Sequence, residues 1–374
     1  MTTYRIAFVG TGPAPESPDA SGFAMAYRHA MAYDSRNDCK LVACADIVRE
    51  NGDAFADSFA ISDSNVYESY ETMLEETEPD IVSVCVPPAI HADIVVGCIQ
   101  TGIPDAIHCE KPMADTWGDC RRMVTEASEG NVQLTFNHQR RFGGPFRKAK
   151  ALLNDGAIGE LQRVEFSAST LFDYGSHSFD LSNFYVDESD PKWVLAQIDY
   201  SEENIFFGAH NENQALVQWE YESGVHGLAV TGTGSGAQLV DCHNRLIGSD
   251  GTIEIGVGFG GGEPGPVLRV RRTGSTGWET IDTDEDVHGA KDVTSLEKDQ
   301  VFLRRAVADV VESLSSDESS DLSGENALRA TKLIFGAWES ARRRGRIEFP
   351  LSFDDNPLVA MVESGALTPE PASD

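Results

Sequence analysis

The stretch that decides the fold is RIAFVG (residues 5–10) running into VGTGPAPESPDASGFAMAYRHA (9–30). A short continuous apolar run ends at glycine, and a helical pattern starts some twelve residues later. That order, strand then glycine turn then helix, is the opening unit of a nucleotide-binding sheet. Gly10 and Gly12 lack a Cβ, so the turn can be tight and its backbone can approach a pyrophosphate closely. Thr11 lies between them and joins the expected contacts. A third glycine would fall at position 15, which is Pro15. The strict pattern therefore fails, and the loop is expected to be lengthened by a Pro/Asp/Ser-rich insertion. Gly22 or Ala26 then takes the helix-packing role, with Ser21 as a cap and helix N–H groups offered to phosphate.

Outward from this unit, strand and helix signals alternate. Apolar runs occur at KLVACAD (40–46), IVSVCV (81–86), AIHCE (106–110) and VQLTF (132–136), with a weak short one at NVY (65–67). Helical patterns fall at 22–33, 48–60, 68–76, 89–101 and 116–129. Continuous apolar strands imply burial on both faces, as in a parallel sheet flanked by helices. Six such strands with right-handed crossovers give a doubly wound α/β domain over residues 1–136. After Phe136 strands follow one another at 161–172, 193–200, 214–221, 225–231, 237–247, 251–256 and 266–272. Helices return at 297–314 and 324–344. Residues 137–355 therefore read as an α+β domain on a largely antiparallel open sheet, and 356–374 as a frayed tail.

Three strand ends carry polar residues suited to a cofactor. Asp46 closes the second strand, where a carboxylate can accept from the ribose hydroxyls and would repel a 2′-phosphate. That favours NAD over NADP, although Arg49 lies near enough to blunt the preference, and a helix-cap role for Asp46 competes. CVPPAIHADI (85–94) ends the fourth strand. Val86 and Pro87 could wall a nicotinamide, and His91 is a cap or a cofactor contact. IHCEKPMA (107–114) places Glu110 and Lys111 at the carboxyl end of the fifth strand, where open α/β sheets bind ligands. A lysine there can be desolvated and can stabilise developing alkoxide charge. An ordinary surface ion pair with its neighbour is the competing reading.

Composition excludes several partners. The 374 residues hold 61 Asp plus Glu against 29 Lys plus Arg, a formal net charge of −32. Such a surface repels nucleic acid and anionic membranes. Self-repulsion would weaken the fold in dilute buffer, and salt would relieve it. The expectation is a cytoplasmic protein of a high-salt cell, such as a halophilic archaeon. No run of about 18 apolar residues suggests a membrane span, and the N-terminus shows no signal-peptide pattern. Seven cysteines without C-x-x-C spacing read as reduced thiols, with no metal site expected. ARRRGR (341–346) is explained by charge compensation at a helix C-terminus.

HCEKP (108–112), NHQRRF (137–142) and DYGSHSFD (173–180), taken in order with VGTG, resemble the glucose–fructose oxidoreductase/inositol dehydrogenase/rhizopine-catabolism family of sugar dehydrogenases. The likeness covers about residues 4–350. It implies a Rossmann domain followed by an antiparallel-sheet domain, and a homodimer or homotetramer formed through that sheet. It implies oxidation of a secondary carbinol of a sugar or cyclitol, or reduction of the ketone, with NAD or NADP. Residue by residue, it implies Lys111 as the active-site lysine and Asp173 with His177 as the acid/base pair. Asp180 would face substrate, and Arg140 would contact substrate or brace the nicotinamide side. His138 reaches the same cleft or is structural. If 173–185 is helical, Asp173, His177 and Asp180 share one face. Two other functions fit the same motifs: a dinucleotide-binding sensor without catalysis, and a sugar oxidoreductase that never releases its cofactor.

Overall fold

The computed structural model describes residues 3–15, 24–233, 237–263, 265–283, 301–316 and 318–372. The chain divides into two compact units, 1–139 with 303–328, and 140–302 with 329–374.

In the first unit, strands β1 (Tyr4–Val9), β2 (Cys39–Ala45), β3 (Val66–Tyr67), β4 (Ile81–Val84), β5 (Ala106–Cys109) and β6 (Gln133–Phe136) form one sheet in the order 3-2-1-4-5-6. Every pairing in it is parallel. Between the strands run α1 (Met25–Asp34), α2 (Arg49–Phe59), α3 (Tyr70–Thr77), α4 (His91–Thr101) and α5 (Trp117–Gly130). The strands are apolar throughout because helices cover both faces. Ile6, Phe8 and Ile81 are fully buried. Strand order reverses between β1 and β4, which makes the carboxyl ends of those strands the crevice of the sheet.

The second unit opens with helices α6 (Gly144–Asn154) and α7 (Gly175–Tyr185). A nine-stranded sheet follows the order 16-15-14-13-7-12-11-8-17. Its members are β7 (Leu161–Ala168), β8 (Pro191–Asp199), β11 (Gln214–Tyr221), β12 (His226–Thr231), β13 (Cys242–Gly248), β14 (Gly251–Val257), β15 (Leu268–Arg272), β16 (Glu279–Thr280) and β17 (Ile347–Glu348). All its pairings are antiparallel except β7 with β12. Strands β9 (Ile205–Phe206) and β10 (Ala209–His210) form a separate hairpin. Along β11 burial alternates, with Val217, Trp219 and Tyr221 inward and Leu216 outward. That period of two is what a sheet with one covered face requires. Phe166 of β7, Phe179 of α7 and Trp219 meet with ring centroids 4.8–6.0 Å apart beneath it.

Three sequence expectations change. Helix α8 (Val301–Ser313) was grouped with residues 137–355, yet Leu303, Val307 and Val311 lie in one core with Ile6, Phe8 and Tyr33. An amphipathic helix joins whichever apolar surface it can cover, and here that surface is the first sheet. The strands expected at 161–172 and 237–247 are shorter, stopping at Ala168 and starting at Cys242. The tail is not simply frayed: α10 (Pro357–Glu363) follows the longer α9 (Gly324–Arg343). Asn356 caps α10 by accepting from the N–H groups of Leu358 and Val359, while Leu358 and Met361 are buried. A capping Asn, a proline at the first helical position and two apolar anchors supply the local signal. Among the described residues no helix is long and apolar enough to cross a membrane.

Candidate active site

The glycine turn of the first unit is built as the sequence suggests. Gly10 and Gly12 have φ of +79° and +63°. A Cβ at Gly10 would sit 2.5 Å from Val86 Cγ1, so the close approach of β1 to β4 needs glycine there. A Cβ at Gly12 would meet nothing within 4 Å. The backbone therefore borders open space at Gly12, the kind of cradle a pyrophosphate fills. Asp46 ties this loop down. Its Oδ2 accepts from Thr11 N–H (2.8 Å), Thr11 Oγ1–H (3.0 Å) and Gly12 N–H (2.9 Å), and its Oδ1 accepts from Val48 N–H (2.9 Å). Arg49 points elsewhere: its guanidinium donates to Asp53 and to the carbonyls of Val66 and Asp63. Gly22 and Ser21 lie outside the described residues, while Ala26 is buried in the first core.

At the end of β5 the residues separate by role. Lys111 is half-buried and precedes a cis peptide bond to Pro112. Glu110, expected at the cofactor, turns inward instead. Its carboxylate accepts from His29 Nε2 at 2.8 Å and Asn137 Nδ2 at 2.7 Å. Burial pushes the Glu110 carboxyl up, but His29, Asn137 and Lys111 more than reverse this and hold it at about 2. His29 is opposed by burial in the same way, and contacts with Cys85 and Glu110 raise it to about 10. Its Nδ1 meets Ser83 Oγ at 2.9 Å, and its ring stacks on His108 at 4.9 Å. His91, read as a cap or cofactor contact, is fully buried at the first position of α4, with Ile90 as the cap residue. Its Nε2 lies 2.8 Å from the Val86 carbonyl oxygen and its Nδ1 2.9 Å and 3.1 Å from those of Pro112 and Met113, so the neutral ring, with one N–H, donates to one side only. Burial lowers its pKa, although the carbonyls oppose the shift. It thus sits between the backbone after β4 and the segment carrying Lys111. His138 is buried beyond β6.

In the second unit, α7 begins at Gly175, so Asp173 lies in the preceding turn and not on the helix. A Cβ at position 175 would come within 2.5 Å of the Thr170 carbonyl oxygen, which explains glycine there. The expected i, i+4, i+7 face therefore holds only from His177 onward. His177 is buried, with the Tyr174 ring 6.5 Å away. Asp180, expected to face substrate, is 1% exposed. Arg141 grips its carboxylate with two hydrogen bonds, Nε to Oδ2 at 2.6 Å and Nη2 to Oδ1 at 2.8 Å. A second arm of Arg141 reaches Glu188 at 2.6 Å. This bidentate pair fixes α7 more directly than it offers an acceptor to a ligand. Arg140 stacks over Tyr174 at 3.9 Å and donates to His243 Nε2 at 2.6 Å. Burial and the neighbouring guanidinium push His243 well below its ordinary pKa, so its ring stays neutral and accepts. Sequence reading did not single out His243 as a partner of Arg140, since strand position alone does not show convergence. Nor did it mark Arg141, which sits beside Arg140 with the same composition signal. Among the described residues no group of three or more His, Cys, Asp or Glu could hold a metal.

Similar proteins fit this description. The chain is 24% identical to inositol 2-dehydrogenase of Salmonella typhimurium over 226 residues, 58% of this chain and 66% of that protein. It is 27% identical to D-glucoside 3-dehydrogenase of Escherichia coli over 157 residues, covering 42% and 41% of the two chains. The matched regions thus span under two thirds of these relatives. Among solved structures, an oxidoreductase from Agrobacterium radiobacter in complex with NAD+, L-tartaric acid and magnesium superposes with a TM-score of 0.73 at 19% identity, covering 93% of this chain and 98% of that one. The WlbA dehydrogenase of Bordetella pertussis, in complex with NADH and UDP-GlcNAcA, gives 0.73 at 20% identity, covering 94% and 99%. At these identities the likeness is one of fold. The family models decide membership: residues 4–138 match the oxidoreductase family's NAD-binding Rossmann fold and 151–349 its C-terminal alpha/beta domain, so the chain belongs to the glucose–fructose oxidoreductase/inositol dehydrogenase/rhizopine-catabolism family.

Proposed function

We propose that the protein oxidises a secondary carbinol of a sugar or cyclitol, or reduces the matching ketone, with NAD. The observation that carries this is His177, buried on α7 one turn after Asp173, in a family with inositol and glucoside dehydrogenases among its relatives. When bound, the cofactor supplies the hydride acceptor at nicotinamide C4. The chain's own residues handle the proton. His177 takes it from the carbinol hydroxyl, and histidine suits that task because its ordinary pKa lies near neutrality. Asp173 orients the imidazole and favours its charged form. Lys111 hydrogen-bonds the reacting oxygen and stabilises its developing charge. Arg140, steadied by Tyr174 and His243, meets a further substrate hydroxyl. Asp180 acts through Arg141 as a brace for α7.

Gly10, Thr11 and Gly12 would line the pyrophosphate, with the N–H groups of Thr11 and Gly12 held by Asp46 Oδ2, and Asp46 would meet the adenosine ribose through Oδ1. With Arg49 engaged by Asp53 and two carbonyls, a 2′-phosphate finds little welcome, which supports NAD over NADP. A groove of about 360 Å³ on the outer sheet face, lined by Gln197, Asp199, Leu216, Val230 and Leu239, supports a homodimer or homotetramer formed through that face. Leu216 and Leu239 are 48% and 63% exposed there, side by side with that groove. The acidic composition supports a cytoplasm rich in salt.

The test is absorbance at 340 nm with NAD and a panel of polyols and cyclitols in molar salt. His177→Ala should cost about 10²–10⁴-fold in kcat, the usual range for removing a general base, while NAD binding persists. A variant that turns over at nearly the native rate would remove His177 from this role.

A further inference from the structure

The turn that delivers Asp173 and His177 is held from outside by a buried carboxylate. Glu212 lies between β10 and β11 and is fully buried. Its Oε1 accepts from Leu171 N–H at 2.6 Å and from Thr231 Oγ1–H at 2.9 Å. Its Oε2 accepts from Trp338 Nε1–H at 3.1 Å. The neighbouring Asn211 accepts from Asp173 N–H at 3.1 Å through Oδ1, and its Nδ2 donates to the Ala209 carbonyl at 3.1 Å. Leu171 and Phe172 are themselves buried, Phe172 against Trp338 and Phe335. The side chains at 171 and 172 thus anchor the turn in the core, while its N–H groups at 171 and 173 are taken by two adjacent residues of another segment.

We propose that Asn211 and Glu212 are positioning residues for the acid/base pair, fixing through Leu171 N–H and Asp173 N–H where Asp173 and His177 stand. The proposal rests on the roles given above to those two residues. Its chemistry explains why the residue is glutamate. The donors from Leu171 and Trp338 cannot reverse, so both oxygens of the group between them must accept. A carboxyl group offers that with both oxygens, and fully so when ionised. A glutamine would aim its –NH2 at one of the two N–H groups. Its partners are neutral donors, so the charge is not offset by a cation, and burial pushes the carboxyl up to about 7. A core built only for stability gains little from such a group, because an apolar substitute avoids the desolvation. Geometry at a proton-transfer site is different: a displacement of about 1 Å can cost 10²-fold in rate.

Glu212→Gln in the full-length chain is the test, read by two independent measurements. Hydrogen exchange followed by mass spectrometry should show peptides spanning 168–177 exchanging at least tenfold faster, with peptides of the first unit unchanged. In the polyol assay kcat should fall at least tenfold while KM for NAD stays within twofold. A double-variant cycle adds a rescue: Trp338→Phe removes the donor that the glutamine amide opposes. Adding Glu212→Gln to Trp338→Phe should therefore cost less, in both measurements, than adding it to the native chain. If Glu212→Gln does not fold, Thr231→Val removes one donor and gives the same exchange reading more weakly. Unchanged exchange at 168–177 overturns the proposal, as does an active protein whose kcat ignores the change or a cycle showing no rescue. Faster exchange in a protein that turns over no substrate upholds the clamp and sinks the assigned reaction instead.

Discussion

Glu110 and Glu212 are both glutamates taken out of water, one in each unit, and their environments drive them apart. At the end of β5, Glu110 faces His29 and Asn137 and is held at about 2. Between β10 and β11, Glu212 faces a backbone N–H, a hydroxyl and an indole, and rises to about 7. Burial acts upward on both. The difference is the imidazolium. Three well-placed neutral donors do not offset the loss of hydration, while the imidazolium does, helped by an amide beside it and by the Lys111 ammonium. Glu110 is therefore a permanent charge that closes a network across α1, β4, β5 and the end of β6. Glu212 sits near the midpoint of its titration at neutral pH, and what it holds depends on its state.

The largest expected effect breaks the first half of this contrast. His29→Leu leaves Glu110 buried with its cation gone, and removing one member of a buried pair costs about 3–5 kcal/mol. Urea unfolding in molar salt measures it. Changing Glu110 to Leu as well should recover much of the loss, since the uncompensated charge goes too. A single variant costing under about 1 kcal/mol would show that Asn137 and water suffice, and the contrast with Glu212 would fail. A smaller effect appears with pH in the native chain. Glu110 is lower in the folded state, so its contribution is present above pH 4.5 and is lost as pH falls through 2. His29 is higher in the folded state, so its contribution is full below pH 6.5 and is lost as pH rises through 10. Glu212 has the opposite sign for an acid, its folded value being raised. It lowers stability progressively as pH climbs from 4.5 to 7. Melting temperatures of His29→Leu/Glu110→Leu and of Glu212→Gln against pH separate the three contributions.

What could be read in the sequence follows the range of the interactions. The parallel sheet and its glycine turn were legible because apolar runs and glycine positions are local facts, repeated strand after strand. Strands β8 and β11 were legible as apolar, β-rich runs for the same reason. Helix α8 was visible as a helix but not as part of the first core, because an apolar stripe does not say which surface it covers. Asp173 was placed on α7 when it precedes it; the start of that helix is set by Gly175 against the Thr170 carbonyl, a contact between backbone segments. Glu110 was drawn to the cofactor by its position beside Lys111, and the residue that claims it lies 81 positions earlier on α1. Asp180 is claimed likewise by Arg141, 39 positions away. Spacing identifies which groups can do chemistry. It does not say which of them are already occupied, as Asp180 and Glu110 are.

The finest cut compares the two glutamates through their neutral donors alone. Thr231→Val keeps the shape of the side chain and removes one hydrogen bond to Glu212 Oε1. At pH 8.5 that carboxyl is mostly ionised, so the lost bond is one to a charged acceptor, worth about 1.5–3 kcal/mol. At pH 5.5 it is mostly protonated and the same hydroxyl meets a neutral acid, so the cost should shrink to about 0.5–1.5 kcal/mol. Tyr200, whose phenol bonds His210 at 2.6 Å, is a titratable side chain electrostatically coupled to Glu212, and burial raises its own pKa above the ordinary phenol range, so it stays neutral at both values. The matching cut at Glu110 is Asn137→Ala, which removes the amide 2.7 Å from Oε1. Because Glu110 remains ionised from pH 5.5 to 8.5, that cost should hardly change between them. A pH-dependent loss for Thr231→Val beside a flat one for Asn137→Ala is therefore the signature of a carboxyl balanced by neutral donors against one balanced by a cation. Two flat responses would mean that Glu212 keeps a single protonation state across this range, as Glu110 does.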